Sequence, residues 1–183
     1  MFSFKINPLF FLLALIFYMV NRGNEFLIAF SAVFLHELVH MIVAYKKGYK
    51  IKKIELFPFG GMAEYKGLLE MEPWHEIIIA LSGPIFSLSL AGLFFILKEN
   101  IFLKYNLIIG IFNLIPALPL DGGRVLRGLL VSRLGFKKGS QIAVRVSKNL
   151  AILGFITGIF SLILNNTNIW ILFISFFVYA AAV

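Results

Sequence analysis

"FLHELVHMIV", residues 34–43, sets two histidines and a glutamate inside an almost unbroken apolar run. Around it, residues 26–45 carry eleven Phe, Leu, Ile or Val side chains, which contribute on the order of −5 kcal/mol to inserting a helix into a bilayer. An ionised Glu37 near the middle costs about 2.5–3.5 kcal/mol, and the two histidines add to that. The segment can still insert, but its polar residues consume most of the margin. Ionisable groups kept at such a cost within a span generally serve function.

The rest of the chain supports a membrane setting. Of 183 residues, 60% are hydrophobic and 14% charged, and the mean hydropathy is +0.92. That composition excludes an ordinary soluble domain and leaves room for one multispanning membrane domain. There is no cysteine, so disulfides and thiolate metal sites are excluded and a metal must be held by His, Asp or Glu. The net charge of +8 does not point to nucleic acid, because the cations sit in short loops between apolar segments.

Six such segments can be drawn, at about 8–20, 26–45, 74–97, 101–118, 149–164 and 169–183. Several fall short of the ~20 residues of a straight span, which predicts tilted or broken helices. The first lacks a small-residue cleavage site and reads as a retained span. With a cytoplasmic N-terminus, fourteen of the 17 Lys and Arg residues lie in cytoplasmic loops; only Arg22, Lys98 and Lys104 lie outside. Both termini are therefore expected in the cytoplasm of a multi-pass cell-membrane protein.

Two stretches do not fit plain spans. "IKKIELFPFGGMAEY" (51–65) places β-type residues around a Pro-Phe-Gly-Gly turn with an apolar tip, predicting a hairpin-like loop that re-enters the membrane. "PALPLDGG" (116–123) cannot continue a helix, because Pro119 lacks a donor and restricts its predecessor. The fourth span is thus broken, and unpaired backbone at that depth must be buried in protein or line a wet cavity. "GRVLRGLLVSRLG" after it reads equally as an interfacial helix or a connector. The expected fold class is an all-α membrane protein of about six transmembrane helices with a short re-entrant β-hairpin-like loop.

Spacing suggests what the histidines do. His36 and His40 lie at i and i+4, on one helical face and about 6 Å apart along the axis. Two imidazoles so placed can grip one Zn2+ at about 2.0–2.1 Å, and Glu37 between them is placed to take a proton from an activated water. A catalytic zinc wants a third protein ligand and an open position. His75, beside Pro73, Trp74 and Glu76, reads as an interfacial cluster, while Glu25, Glu55, Glu64, Glu70, Glu72 and Glu76 sit in loops or at span ends, where solvated charge is ordinary. Asp121 is the only aspartate and follows the break in the fourth span. Alone it reads equally as a turn-former before Gly122 and Gly123; beside His36-Glu37-x-x-His40 the ligand reading gains.

HELVH within one span and "NLIPALPLDGG" (113–123) closing a later one resemble the site-2 protease family of intramembrane zinc metalloproteases, and "FPFGG" (57–61) and "SGP" (82–84) are similar to its smaller motifs. The resemblance covers roughly residues 30–130. The short N-terminal lead, six-span plan and lack of a PDZ insert look most like the branch that processes sporulation sigma factors. It implies His36, His40 and Asp121 as zinc ligands and Glu37 as general base. It further implies Phe59, Gly60, Gly61 and Asn113 as substrate-positioning residues. Ser87 stands where the family often has Asn. One membrane peptidase domain over 1–183 is expected, its core 26–130, with no soluble CBS or PDZ domain.

The implied reaction is hydrolysis of a peptide bond near the cytoplasmic face. The expected substrate is a membrane-associated or single-span protein, such as a sigma-factor precursor or an anti-sigma-type regulator. The lipid bilayer is the surrounding, nucleic acid is not a partner, and an inhibitory membrane partner fits the branch; the oligomeric state is not legible. The alternatives are a catalytically silent scaffold and a zinc-transporting membrane protein.

Overall fold

The computed structural model describes residues 3–6, 8–57, 60–65, 71–164 and 170–181, with backbone alone at 3–6, 9–10, 12–13, 51–57, 60–65 and 170. The chain divides into two compact units, Met1–Phe112 and Asn113–Val183. In the first, strand β1 (Ser3–Ile6) precedes helices α1 (Pro8–Met19) and α2 (Gly23–Lys46). Strands β2 (Ile51–Phe57) and β3 (Gly60–Tyr65) follow, then α3 (Pro73–Ile96) and α4 (Asn100–Asn113), whose last residue opens the second unit.

Local chemistry sets these boundaries. Pro8 and Pro73 each open a helix at the position where a missing N–H costs nothing. Helix α2 stops because Gly48, at φ +88°, takes the left-handed conformation that glycine adopts without strain. Its N–H donates to the Tyr45 carbonyl (2.9 Å) and the Tyr49 N–H to that of Ala44 (3.0 Å), the paired bonds of a Schellman ending. The turn lays Tyr49 against Ala44 and Ile79, which are fully buried where α2 meets α3.

The buried residues of α2, Ala32, His36, His40 and Ala44, recur every four residues. The stripe turned inward therefore contains both histidines, while Leu27, Phe34, Leu35 and Ile42 face outward. Helix α3 answers with Glu76, Ala80, Gly83, Pro84, Ser87 and Ala91 on its buried side, and the two helices pack together. The Tyr105 hydroxyl on α4 donates to a Glu25 carboxylate oxygen on α2 (3.2 Å).

The sheet has the order β1-β2-β3. β2 and β3 pair antiparallel, with Leu56 opposite Gly61 and an irregularity between Ile51 and Lys53. β1 joins β2 in parallel, Ser3 opposite Lys53; this third strand was not expected. β3 lies beside α2. The tip of the expected hairpin, Pro58 and Phe59, falls outside the described residues.

The second unit holds residues 114–120, which are non-helical and include a cis peptide before Pro119. It continues with α5 (Asp121–Leu134), α6 (Phe136–Ile163) and α7 (Trp170–Ala181). Helix α6 buries a stripe of small residues, Gly139, Ala143, Ser147, Ala151 and Gly158, and packs on both α5 and α7. A Cβ at Gly139 would collide with the α5 backbone at Leu130 and Val131, so close approach fixes that residue.

Helices α2, α3 and α6, of 24, 24 and 28 residues, are long and apolar enough to cross a membrane; the chain is a multi-pass membrane protein. Three expectations need correction. The apolar segment at 149–164 is only the second half of α6, which starts at Phe136 because its basic residues prolong the helix beyond the apolar part. The helix of the fourth span ends at Asn113, several residues before Pro119. Glu76, placed among solvated charges, is instead buried in the first turn of α3, where the helix dipole favours an acid.

Candidate metal centre

His36 and His40 are each 2% exposed. Their Nε2 atoms stand 3.1 Å apart with the rings edge-on at 79°. Two nitrogens bound tetrahedrally to one zinc at about 2.0–2.1 Å would be about 3.3–3.4 Å apart, so the pair is spaced as zinc ligands require.

The outer nitrogens are held by α3. His40 Nδ1 lies 2.6 Å from the Ile79 carbonyl. That oxygen can only accept, so Nδ1 carries the proton and Nε2 keeps its lone pair for a metal. The Ser82 hydroxyl donates to the same carbonyl (2.6 Å). His36 Nδ1 lies 2.9 Å from the hydroxyl of Ser87, which is fully buried. A serine oxygen can accept from Nδ1–H and select the same tautomer. Ser87, standing where the family often has Asn, thus orients a histidine of the motif.

Space for an ion comes from Gly83. A Cβ there would collide with the Nε2 atoms of both His40 and His36. The missing side chain keeps the inner faces of the imidazoles clear, and the donor set fits a zinc ion.

Glu37, on the same helix, is half-buried. His75 is committed elsewhere: its Nδ1 lies 2.9 Å from the Tyr49 hydroxyl and 3.7 Å from a Glu72 carboxylate oxygen, so it belongs to the junction of α2 with α3. Gly60 and Gly61 begin β3 opposite Phe57 and Leu56; Phe59 lies outside the described residues.

In the second unit Asp121 is the first residue of α5 and 6% exposed. Its carboxylate is favoured by the helix N-terminus and lies 3.5 Å from an Arg124 guanidinium nitrogen. The glycines after it have a packing cause. A Cβ at Gly122 would strike the backbone of Leu114 and Ile115, and one at Gly123 that of Ala117 and Leu118. The non-helical stretch therefore folds back directly onto the start of α5. Ser147 of α6 anchors it: its hydroxyl accepts from the Leu118 N–H (2.8 Å) and donates to the Ala143 carbonyl (2.8 Å). Asn113, ending α4, is half-buried. Among the described residues, His36 and His40 of the first unit and Asp121 of the second are buried and each offers a ligand atom of the kind a metal ion takes.

No pattern in the sequence marks Ile79 or Ser147 as part of the site. "SGP" at 82–84 was the one available signal for Gly83.

Residues 25–103 and 100–156 match peptidase family M50. The chain belongs to that family. A zinc metalloprotease of Methanocaldococcus jannaschii is 39% identical to it over 170 residues, covering 86% of this chain and 48% of the relative. Stage IV sporulation protein FB of Bacillus subtilis is 28% identical over 151 residues, covering 78% of this chain and 52% of the relative. The solved site-2 protease from Methanocaldococcus jannaschii superposes with a TM-score of 0.76 at 32% identity, covering 97% of this chain and 87% of that one. This M50 chain spans about half the length of the curated relatives it matches. Zinc is the metal that the names of its M50 relatives carry, and the paired imidazoles are suited to it.

Proposed function

We propose that this chain is the catalytic core of an intramembrane zinc endopeptidase of the site-2 type, with His36, His40 and Asp121 as metal ligands and Glu37 as general base. The observation that carries the reading is the pair of buried imidazoles on a membrane-length helix, each with its outer nitrogen held by α3. A bound zinc supplies Lewis acidity, acidifying water and polarising a carbonyl. His36 and His40 contribute neutral nitrogens, and Asp121 contributes a negative oxygen that the two histidines lack. Glu37 takes the proton of the attacking water and returns it to the leaving amine.

A substrate helix must expose an extended peptide before it can be cut. β3 is an edge strand beside the metal helix, and an extended segment could add to it through backbone hydrogen bonds that demand little of its sequence. Gly60, Gly61, Asn113 and the adjoining Phe59 are the substrate-positioning residues of this reading. The charge pattern favours cleavage at the cytoplasmic face. The likeness to a sporulation protein favours a membrane-associated or single-span regulator as substrate, of the sigma-factor precursor or anti-sigma type.

The test is co-expression with single-span candidate substrates, coupled to metal analysis of purified protein. Glu37→Gln should keep its zinc and lose roughly 10²- to 10⁴-fold in cleavage rate, the usual worth of a general base. Asp121→Asn should lose both zinc and cleavage while inserting normally. Full zinc and normal cleavage in Asp121→Asn would leave only two ligands and end the protease reading.

A further inference from the structure

We infer that the 140–148 face of α6 binds the phosphate headgroup of an anionic phospholipid, with the acyl chains running down the same face of the helix. The site is independent of the metal centre and of the proposed proteolysis.

Helix α6 changes character part-way along. Lys137, Lys138, Arg145 and Lys148 lie in its first thirteen residues, and the remaining fifteen, from Asn149 to Ile163, carry no charge. At 1.5 Å per residue the uncharged part is about 22 Å long, most of the ~30 Å hydrocarbon core, so the basic residues that precede it lie toward the membrane interface, within side-chain reach of lipid phosphates. A cavity of about 560 Å³ opens there, lined by Ser140, Gln141, Val144, Arg145 and Lys148.

Three observations ask for an anion in it. The Ser140 hydroxyl oxygen is buried with no hydrogen-bond partner among the described residues, a costly state unless a ligand supplies the acceptor. The Lys148 ammonium sits 5.9 Å over the Tyr179 ring of α7, which steadies it without neutralising it. The chain from 113 to 183 carries seven cations and a single carboxylate, Asp121, which already lies beside Arg124. The anion for Arg145 and Lys148 is therefore not supplied by their own unit.

The geometry below the cavity favours a lipid over a free phosphate. Ile152, Ile156, Ile159 and Ile163 continue from Lys148 at spacings of four, four, three and four, and are 48%, 60%, 51% and 71% exposed. They continue the side of the helix that carries Gln141, Arg145 and Lys148, whereas Ser140 borders the cavity from the side of the small-residue stripe, so a greasy track leads from the basic edge of the cavity. Arg145 and Lys148 offer charge-assisted donors to phosphate oxygens, and Ser140 and Gln141 offer neutral ones.

Native mass spectrometry of the full chain in detergent tests this, titrating phosphatidylglycerol, phosphatidylcholine of matched acyl chains, and inorganic phosphate. Wild-type protein should retain one phosphatidylglycerol in preference to phosphatidylcholine and be indifferent to inorganic phosphate. Arg145→Gln and Lys148→Gln should each weaken retention roughly fivefold, and together about 25- to 30-fold. Ser140→Val should also weaken it, and Arg133→Gln, the same charge change on α5, should not. Equal retention of the two lipids, displacement by inorganic phosphate, or an unchanged double variant would overturn the assignment.

Discussion

Gly83 is where a single methyl group should matter most. Its Cβ would enter the space between the two Nε2 atoms, so Gly83→Ala should displace the imidazoles and strip the protein of zinc without preventing insertion. Metal content per purified chain checks this, and full occupancy would show that the site can yield. Ser87→Ala should lower metal affinity about 10- to 100-fold, the usual effect of removing a group that orients a ligating histidine. Ser87→Asn should restore it, because an amide oxygen can also accept from His36 Nδ1–H. If alanine and asparagine bind zinc equally, the Ser87 contact has no orienting role. The histidines and Glu37 were legible because three polar side chains in an apolar run announce themselves energetically. Gly83, Ser87 and the Ile79 carbonyl were not, since small residues and backbone oxygens leave no mark on a hydrophobic pattern. Their contacts with the histidines arise only when helices some forty to fifty residues apart in sequence come together.

At the scale of elements, β3 is an outer strand of the sheet among the described residues and lies beside the metal helix. A charged replacement at Gly60, where the strand begins opposite Phe57, should slow cleavage far more than it lowers zinc content, because glycine has no side chain to serve as a ligand. Parallel measurement of zinc and cleavage in Gly60→Asp separates the cases; if both fall together, the strand is a support for the metal helix and not a guide for substrate. Helix starts at Pro8 and Pro73 and the β-type run at 51–57 were readable from local chemistry. β1 was not, because four residues without turn signals become a strand only by pairing with a segment fifty positions later. The start of α6 was also hidden, since its glycine and lysines resemble a loop until the packing of Gly139 on α5 shows why they are helical.

For the whole molecule, we propose that the distribution of Lys and Arg sets the orientation. Single cysteines introduced at Lys50 and at Glu99 should report opposite sides of the membrane: the first shielded from an impermeant thiol reagent added to intact cells, the second labelled. The chain has no native cysteine, so the background is nil. Labelling of Lys50→Cys from outside would reverse the orientation and move the proposed site of cleavage to the other face. Membrane class was legible throughout the sequence, because composition alone excludes a soluble fold. The number of crossings was less so: α1 and α4, of 12 and 14 residues, extend only about 18 and 21 Å, and apolar runs do not reveal where a helix will stop.

The parallel pairing of β1 with β2 has a consequence for synthesis. Residues 3–6 leave the ribosome well before residues 53–56 and cannot meet these partners until about fifty more residues have followed, roughly 2.5–10 seconds later at 5–20 residues per second. We propose that α1 and α2 both enter the bilayer in that interval, since only an even number of passages returns the nascent chain to the side where β1 waits. Closure of the sheet therefore records correct entry of both helices. A charged residue that kept α1 out of the membrane should leave β1 and β2 on opposite faces, unable ever to join, and protease added to stalled ribosome–membrane complexes would reveal it.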